Sequence, residues 1–387
     1  MRTTAVTPPP TSPITDAELA AIRSELPVIR DEVAYLNAGT LGPMPAVAIE
    51  AMRRVAEYDA LERQGPDLWD RLGAAQQAAR GAVASMCGVG LDQAALMHST
   101  HEGVNTCAWG LDLRDGENVV TMDEEHPGLL VPLRHVRDRT GVAIRIAPWA
   151  TSDEAFVDGV VAQVDASTRA VFLSHVSWVS GRIAPLRALR AALPDQVRIV
   201  VDGAQSAGVL PVDPSDGWDA YTVSGQKWPC GPNGSGGLAL VDPEAWLPTA
   251  GAYMQVSDPE RSLTSPVVAD GRRFEQSQEA MVPLAGFTAS VAWLTERVGI
   301  RRAHAHARAC NATVRGLLTA GGIDEASIQG FDHLLCIDMP DAPDVSARLA
   351  AGGIMIRPLG AARIRLSFGC WTSSAELERA CGALLAH

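Results

Sequence analysis

The sequence predicts an α/β protein: a large unit built on a mostly parallel β-sheet, followed by a smaller α+β C-terminal unit. Three observations predict it. Short β-branched runs alternate with helical stretches between about residues 118 and 241. Those runs are continuous, as in Arg198-Ile-Val-Val, which suits strands covered on both faces. Beyond about residue 280 long helical segments return, followed by two short strands and a closing helix.

Taken in order, residues 1–15 are rich in Thr and Pro and have little to bury, so a loose tail is expected. Thr15 and Asp16 then supply capping signals for a helix over 17–26, within a 16–45 segment expected to pack on the small unit. Residues 46–87 carry apolar side chains every three or four positions and read as helices. Strands are expected at 118–122, 142–147, 170–174, 197–202, 220–224 and 237–241. Helices over 282–298 and 302–320, strands at 334–337 and 364–367, and a helix from Ser374 complete the chain. The large unit is expected over 46–270 and the small one over 271–387.

Composition narrows the function. With 45 acidic against 32 basic residues the net charge is −13, which argues against a nucleic-acid partner. No apolar stretch approaches the ~18 residues of a membrane span, and the first residues lack the apolar centre of a secretory signal, so a soluble cytoplasmic protein is expected. Seven cysteines, odd in number and never spaced C-x-x-C, read as reduced thiols rather than a disulfide framework or zinc site. Two strings fail as motifs. Asp123-Glu124-Glu125-His126 resembles a helicase box but has no phosphate loop to accompany it, and His101-Glu102-Gly103-Val104-Asn105 places Asn where a second zinc-binding imidazole is needed.

What survives is a pair. Asp202 ends a buried strand and precedes Gly203-Ala204-Gln205, at the strand edge where α/β sheets place ligands; alone, it reads equally as a turn or helix-cap residue. Lys227 follows 25 residues later, after the next strand and before a Pro- and Gly-rich loop; alone, it reads as a solvated charge. Together a strand-end amine and a strand-end carboxylate are what pyridoxal 5'-phosphate requires: one joins its aldehyde, the other keeps its ring nitrogen protonated.

Around this pair the sequence resembles the class V aminotransferase group of fold-type I pyridoxal-phosphate enzymes. The group includes cysteine desulfurases, kynureninases and isopenicillin-N-epimerase-like proteins. The resemblance runs from Tyr35 onward through Tyr35-Leu36-Asn37-Ala38-Gly39, Ser99 to Asn105, Glu125-His126-Pro127-Gly128, His175-Val176-Ser177, Val201 to Gln205, Ser224-Gly225-Gln226-Lys227 and Arg365-Leu366-Ser367. It implies a seven-stranded sheet in the large unit. It also implies Lys227 as the Schiff-base lysine and mover of the α-proton, Asp202 as the partner of the ring nitrogen, His126 as the imidazole on the ring face and Gln205 as a hydrogen-bonding group near the ring hydroxyl. Thr100 and His101, opening a helix over 102–109, match phosphate-binding positions, as do Ser224 and Gln226; His101 replaces a common Thr and Gln226 a common His. Arg365 matches the arginine that clamps a substrate α-carboxylate, and Asn37 a residue that reaches the substrate. The resemblance further implies a homodimer with a shared site, in which the segment 272–278 reaches the partner's phosphate. There Gln278 stands where Thr is common.

The reaction is narrowed by what the chain lacks. A desulfurase needs a thiolate on a loop shortly before its carboxylate arginine, and no cysteine lies between Ala351 and Arg365. Trp178 stands where desulfurase-like members carry Asn near the ring oxygen, within a Trp-rich composition suited to a substrate pocket wider than a small amino acid needs. The leading reading is β-elimination from a cysteine S-conjugate, a C–S lyase reaction on a small-molecule substrate with an amino-acid moiety. Decarboxylating deamination, epimerisation and transamination start from the same chemistry and stay open; lincosamide-pathway members of the superfamily include both C–S lyases and decarboxylating deaminases. A non-catalytic ligand-binding protein on the same fold is the alternative from another class.

Overall fold

A computed structural model describes residues 12–276 and 279–386. Helix α1 (Asp16–Ser24) opens on a Thr15–Glu18 capping box, and a two-residue strand β1 (Ala34–Tyr35) follows. The expected helical stretch 46–87 is two helices, α2 (Ala46–Leu61) and α3 (Leu68–Cys87). The break falls at Gly65-Pro66, where proline disfavours helix in the residue before it.

The large sheet is then laid down as β2 (Ala94–Met97), α4 (Thr100–Gly110), β3 (Asn118–Met122), α5 (Pro127–Thr140), β4 (Ala143–Ala147), α6 (Asp153–Val161), β5 (Thr168–Ser174), α7 (Leu186–Ala192), β6 (Arg198–Asp202), β7 (Ala220–Ser224) and β8 (Gly236–Leu240). Its spatial order is β2-β8-β7-β6-β5-β3-β4. Only β8 runs against its neighbours, so six strands, β2 included, end on one edge. Strand β2 escaped the sequence reading because four apolar residues between a 3₁₀ turn and a helix cap are too short to show a period.

One apolar core fills the face between sheet and α3, with Val83, Val171, Ile199, Val201 and Tyr221; another lies under α4 and α5, with Val104, Leu129, Phe172 and Val200. Helix α8 (Met281–Ala292) contributes Leu284, Phe287 and Val291 to the first of these. Periodicity identifies it as a helix but cannot say which core it joins, and it joins that of the large sheet rather than its own C-terminal neighbours. A π-helical turn, Trp293–Val298, continues it to α9 (Ile300–Ala320).

The C-terminal unit adds β9 (Ile328–Gln329), β10 (Leu334–Asp338), α10 (Ala342–Ala351), β11 (Ile354–Met355), β12 (Arg357–Leu359), β13 (Arg363–Ser367) and α11 (Ser374–Leu385). Four of these strands form an antiparallel sheet ordered β12-β13-β10-β9. Strand β1 pairs in parallel with β11, so the N-terminal segment is stitched to this unit. A further core, with Ile22, Leu26, Trp228, Trp293, Leu334 and Trp371, joins residues from the N-terminal segment, the large sheet's loops and the C-terminal unit.

Candidate active site

The candidate residues converge at the carboxyl edge of the large sheet. There Thr100, His101, His126, Ser174, Trp178, Asp202, Gln205 and Lys227 line one cavity. Each comes from the end of a strand of the same direction or from the segment after it: β2 leads to Thr100, β3 to His126, β5 ends at Ser174 and leads to Trp178, β6 ends at Asp202 and β7 leads to Lys227.

Asp202 is buried and its Oδ1 accepts from the Ala204 backbone N–H at 2.8 Å, which fixes the carboxylate at the strand end. Dense packing around the Lys227 amine pulls its pKa down to about 8 from 10.5; the Arg365 charge acts in the same direction, and Asp202 opposes both. His126 caps α5, its Nδ1 accepting from the Gly128 N–H at 3.0 Å, so the neutral ring carries its proton on Nε2. Burial, then the Lys227 charge, holds its pKa below the ordinary value. His101 lies nearly parallel to His126, with ring centroids 5.9 Å apart, and covers Gly128 so closely that a Cβ there would stand 2.1 Å from its Nε2.

Helix α4 begins at Thr100, two residues earlier than the sequence reading placed it, because Ser99 is its cap and accepts from Glu102 N. Thr100 and His101 are therefore first-turn residues, where unpaired backbone N–H groups favour an anion. Ser224 is the buried last residue of β7. Gln226 has a buried Oε1 with no partner among the described residues. Gln278 lies outside the described residues; before it, Gln276 donates to Glu102 at 3.3 Å.

Arg365, on β13, is fully covered, and burial pulls its pKa to about 10, still a cation at neutral pH. Its Nη1 donates to the Trp178 carbonyl at 3.1 Å, while its buried Nε has no partner among the described residues. Gly39 lies against it: a Cβ there would be 2.8 Å from Nη2 and 3.0 Å from Gln205 Oε1, so a larger residue would have to displace these side-chain ends. Gln205 is engaged on both ends of its amide, donating to Gly39 O at 2.9 Å and accepting from Trp228 Nε1 at 3.1 Å. Asn37 accepts from the Thr40 hydroxyl at 2.8 Å, the bond of a turn asparagine.

Other groups supporting the cavity carried no assigned role in the sequence reading. Glu125 is buried beneath it, accepting from Ser174 N at 2.8 Å and Ser174 Oγ at 2.5 Å. Burial, reinforced by Asp202, raises its pKa to about 8. His333 reaches across from the C-terminal unit to the Gln205 carbonyl at 2.6 Å and packs edge-on to Trp228. Glu125 adjoins His126 in a string the resemblance had already marked, whereas nothing near His333 signals its contact.

A family model for class V aminotransferases matches residues 34–379. The chain belongs to that family, and so to the fold-type I pyridoxal-phosphate enzymes. It is 26% identical to a probable cysteine desulfurase of Mycobacterium leprae, over 96% of this chain and 97% of the relative. A cysteine desulfurase of Haloferax volcanii is 29% identical over 76% and 74%. Among solved structures, the cystine C–S lyase C-DES in complex with its product cysteine persulfide superposes with a TM-score of 0.84 at 24% identity, covering 93% of this chain and 99% of that one. A cysteine desulfurase from Escherichia coli gives 0.81 at 23%, covering 95% and 97%. At these identities the structures show the shared fold.

The residues present fit pyridoxal phosphate. The cavity holds an amine and a carboxylate on adjoining strand ends, an imidazole beside them and a helix N-terminus at one side. Trp178, which lines the same cavity, has a buried Nε1–H with no partner among the described residues, a donor that a polar ligand could use.

Proposed function

We propose that the chain is a pyridoxal-phosphate-dependent C–S lyase that cleaves the Cβ–S bond of a cysteine S-conjugate. With water, it yields the thiol, pyruvate and ammonia. The observation that carries this reading is the state of the seven cysteines. All are buried, and burial pushes each thiol upward, Cys336 and Cys370 to about 12. The segment before Arg365, where a desulfurase keeps its nucleophile, is instead β11 and β12 without a cysteine. A protonated, covered thiol cannot accept sulfur from a substrate, so sulfur must leave with the product. The relatives named for cysteine desulfurization and cystine C–S cleavage support chemistry on a cysteine carbon–sulfur bond.

When bound, pyridoxal phosphate supplies the electron sink that makes the α-proton of an amino acid removable. Asp202 would hold its ring nitrogen, His126 its face and Gln205 its periphery. Thr100, His101, Ser224 and Gln226 would hold its phosphate. Arg365 pairs with the substrate carboxylate through N–H groups left free by its bond to Trp178. Asn37 stands in the loop that closes over that end. The Lys227 amine, neutral above about pH 8, takes the α-proton, and its cation returns one as the thiol departs. Gln278 belongs to the segment expected to reach a partner's phosphate in a homodimer.

Two measurements test the reading. The visible absorption of the bound cofactor should vanish in Lys227→Ala, and purified wild type given cysteine S-conjugates should release thiol and pyruvate in equal amounts. Carbon dioxide with an aldehyde, or an inverted amino acid, would replace this reading with decarboxylation or epimerisation. Identical spectra for wild type and Lys227→Ala would refute catalysis of this kind altogether.

A further inference from the structure

His333 lies between β9 and β10, fully buried, and does not line the cavity. Its backbone carbonyl accepts from Phe368 N at 2.9 Å, just beyond Arg365, and its ring Nε2 reaches the Gln205 carbonyl at 2.6 Å, just beyond Asp202. The Gln205 side chain in turn holds Gly39 and Trp228, the neighbour of Lys227, while Gly39 packs on Arg365 and its N–H bonds to Ser367 Oγ at 3.2 Å. One residue therefore joins the strand that carries the arginine to the loop that follows the carboxylate.

The charge of its ring follows from its partners. Nδ1 stands 3.1 Å from Asp332 Oδ1, and an ionised carboxylate, like a backbone carbonyl, only accepts. A neutral imidazole has one N–H and one bare lone pair, so it serves only one of these two oxygens; a ring bonded to both carries a proton on each nitrogen. Burial opposes the Asp332 charge, but the bonds from His304, at 2.7 Å, and from His333 outweigh it and hold the carboxyl below its ordinary range. Arg308 Nε stands 3.6 Å from the other carboxylate oxygen. His175, the further imidazole that interacts with His333, is neutral, its pKa pulled down to about 4 by burial, so it brings no second charge against the ring.

We propose that His333 is a positioning residue: an imidazolium, paired with Asp332, that clasps the Gln205 carbonyl and fixes Arg365 relative to Lys227. Its consequence for substrate rests on the reading of Arg365 as the carboxylate clamp; the charged clasp itself does not. A charged donor holds a carbonyl more strongly than a neutral one. Loss of the charge loosens the contact between the two units while leaving the cofactor-holding groups, which stand on the large unit, in place.

Neutron diffraction from crystals of the wild-type holoprotein at neutral pH should show hydrogen on both ring nitrogens of His333; a bare nitrogen would overturn the proposal. In solution, wild type is compared with His333→Gln, Asp332→Asn and the double variant as holoproteins. Gln keeps a neutral donor, and Asn keeps the shape of Asp332 without its charge. Cofactor content should be unchanged in both single variants. Affinity for S-methyl-L-cysteine, read from the bound cofactor's visible absorption, should weaken about tenfold in each, and the double variant should bind no more weakly than the single ones, because both changes remove one charge pair. Unchanged affinity in the single variants, losses that add in the double variant, or loss of cofactor along with amino-acid affinity would each overturn the positioning role. If the wild-type spectrum does not respond to S-methyl-L-cysteine, the substrate reading fails, and the diffraction result still decides the clasp.

Discussion

The amine of Lys227 illustrates how burial does chemical work at a single residue. A lysine in water is protonated at neutral pH and a poor nucleophile; here desolvation favours its uncharged form and the neighbouring Arg365 adds to that preference. Uptake of pyridoxal phosphate by the apoprotein should accelerate with rising pH and level off above about 8, where the amine is largely neutral, as followed by stopped-flow absorbance. A rate still climbing at pH 10 would mean the amine is solvated. Because Asp202 raises the midpoint, Asp202→Asn should lower it. Stability follows the same sign: a lysine whose folded pKa lies below its unfolded value favours the native state increasingly as pH rises from about 8 to 10.5. Lys227 and Asp202 were readable in sequence because each sits at a strand end in a recognisable string. His333 was not, because its bond to the Gln205 carbonyl spans 128 residues and exists only once two units are packed together.

At the scale of elements, the 3₁₀ turn Gly271–Phe274 shows how a segment without regular structure is tied to the sheet. Glu275 directly after it takes both Nε and Nη2 of Arg80 on α3, at 2.7 and 2.9 Å, and also accepts from Leu96 N on β2. Both charges are covered, so removing one leaves the other stranded. Glu275→Ala should therefore cost about 3–5 kcal/mol of folding free energy, read from urea denaturation. A loss within 0.5 kcal/mol would show that water reaches Arg80. Most strands and helices here were legible from their period, since long apolar-patterned segments carry their own signal. The exceptions were decided elsewhere: β2 by pairing with β8, and the allegiance of α8 by contacts with Val83's core.

For the whole molecule, several large apolar side chains stay uncovered in the single chain. Leu61 is 83% exposed, Trp69 73% and Leu263 essentially fully. Leaving such side chains in water is unfavourable, and the homodimer that the resemblance implies is proposed to cover them. Light scattering should return twice the chain mass, and Trp69→Asp should shift it toward one; a single-chain mass for wild type would refute the homodimer. Another feature of the molecule concerns its synthesis. Gly39 N bonds to Ser367 Oγ across 328 residues, and the N-terminal strand β1 is completed only by β11. On the ribosome, His126, Asp202 and Lys227 emerge well before Arg365, so the residues proposed to hold the cofactor are made before the one proposed to clamp a substrate carboxylate, and the pairing of β1 must wait for β11.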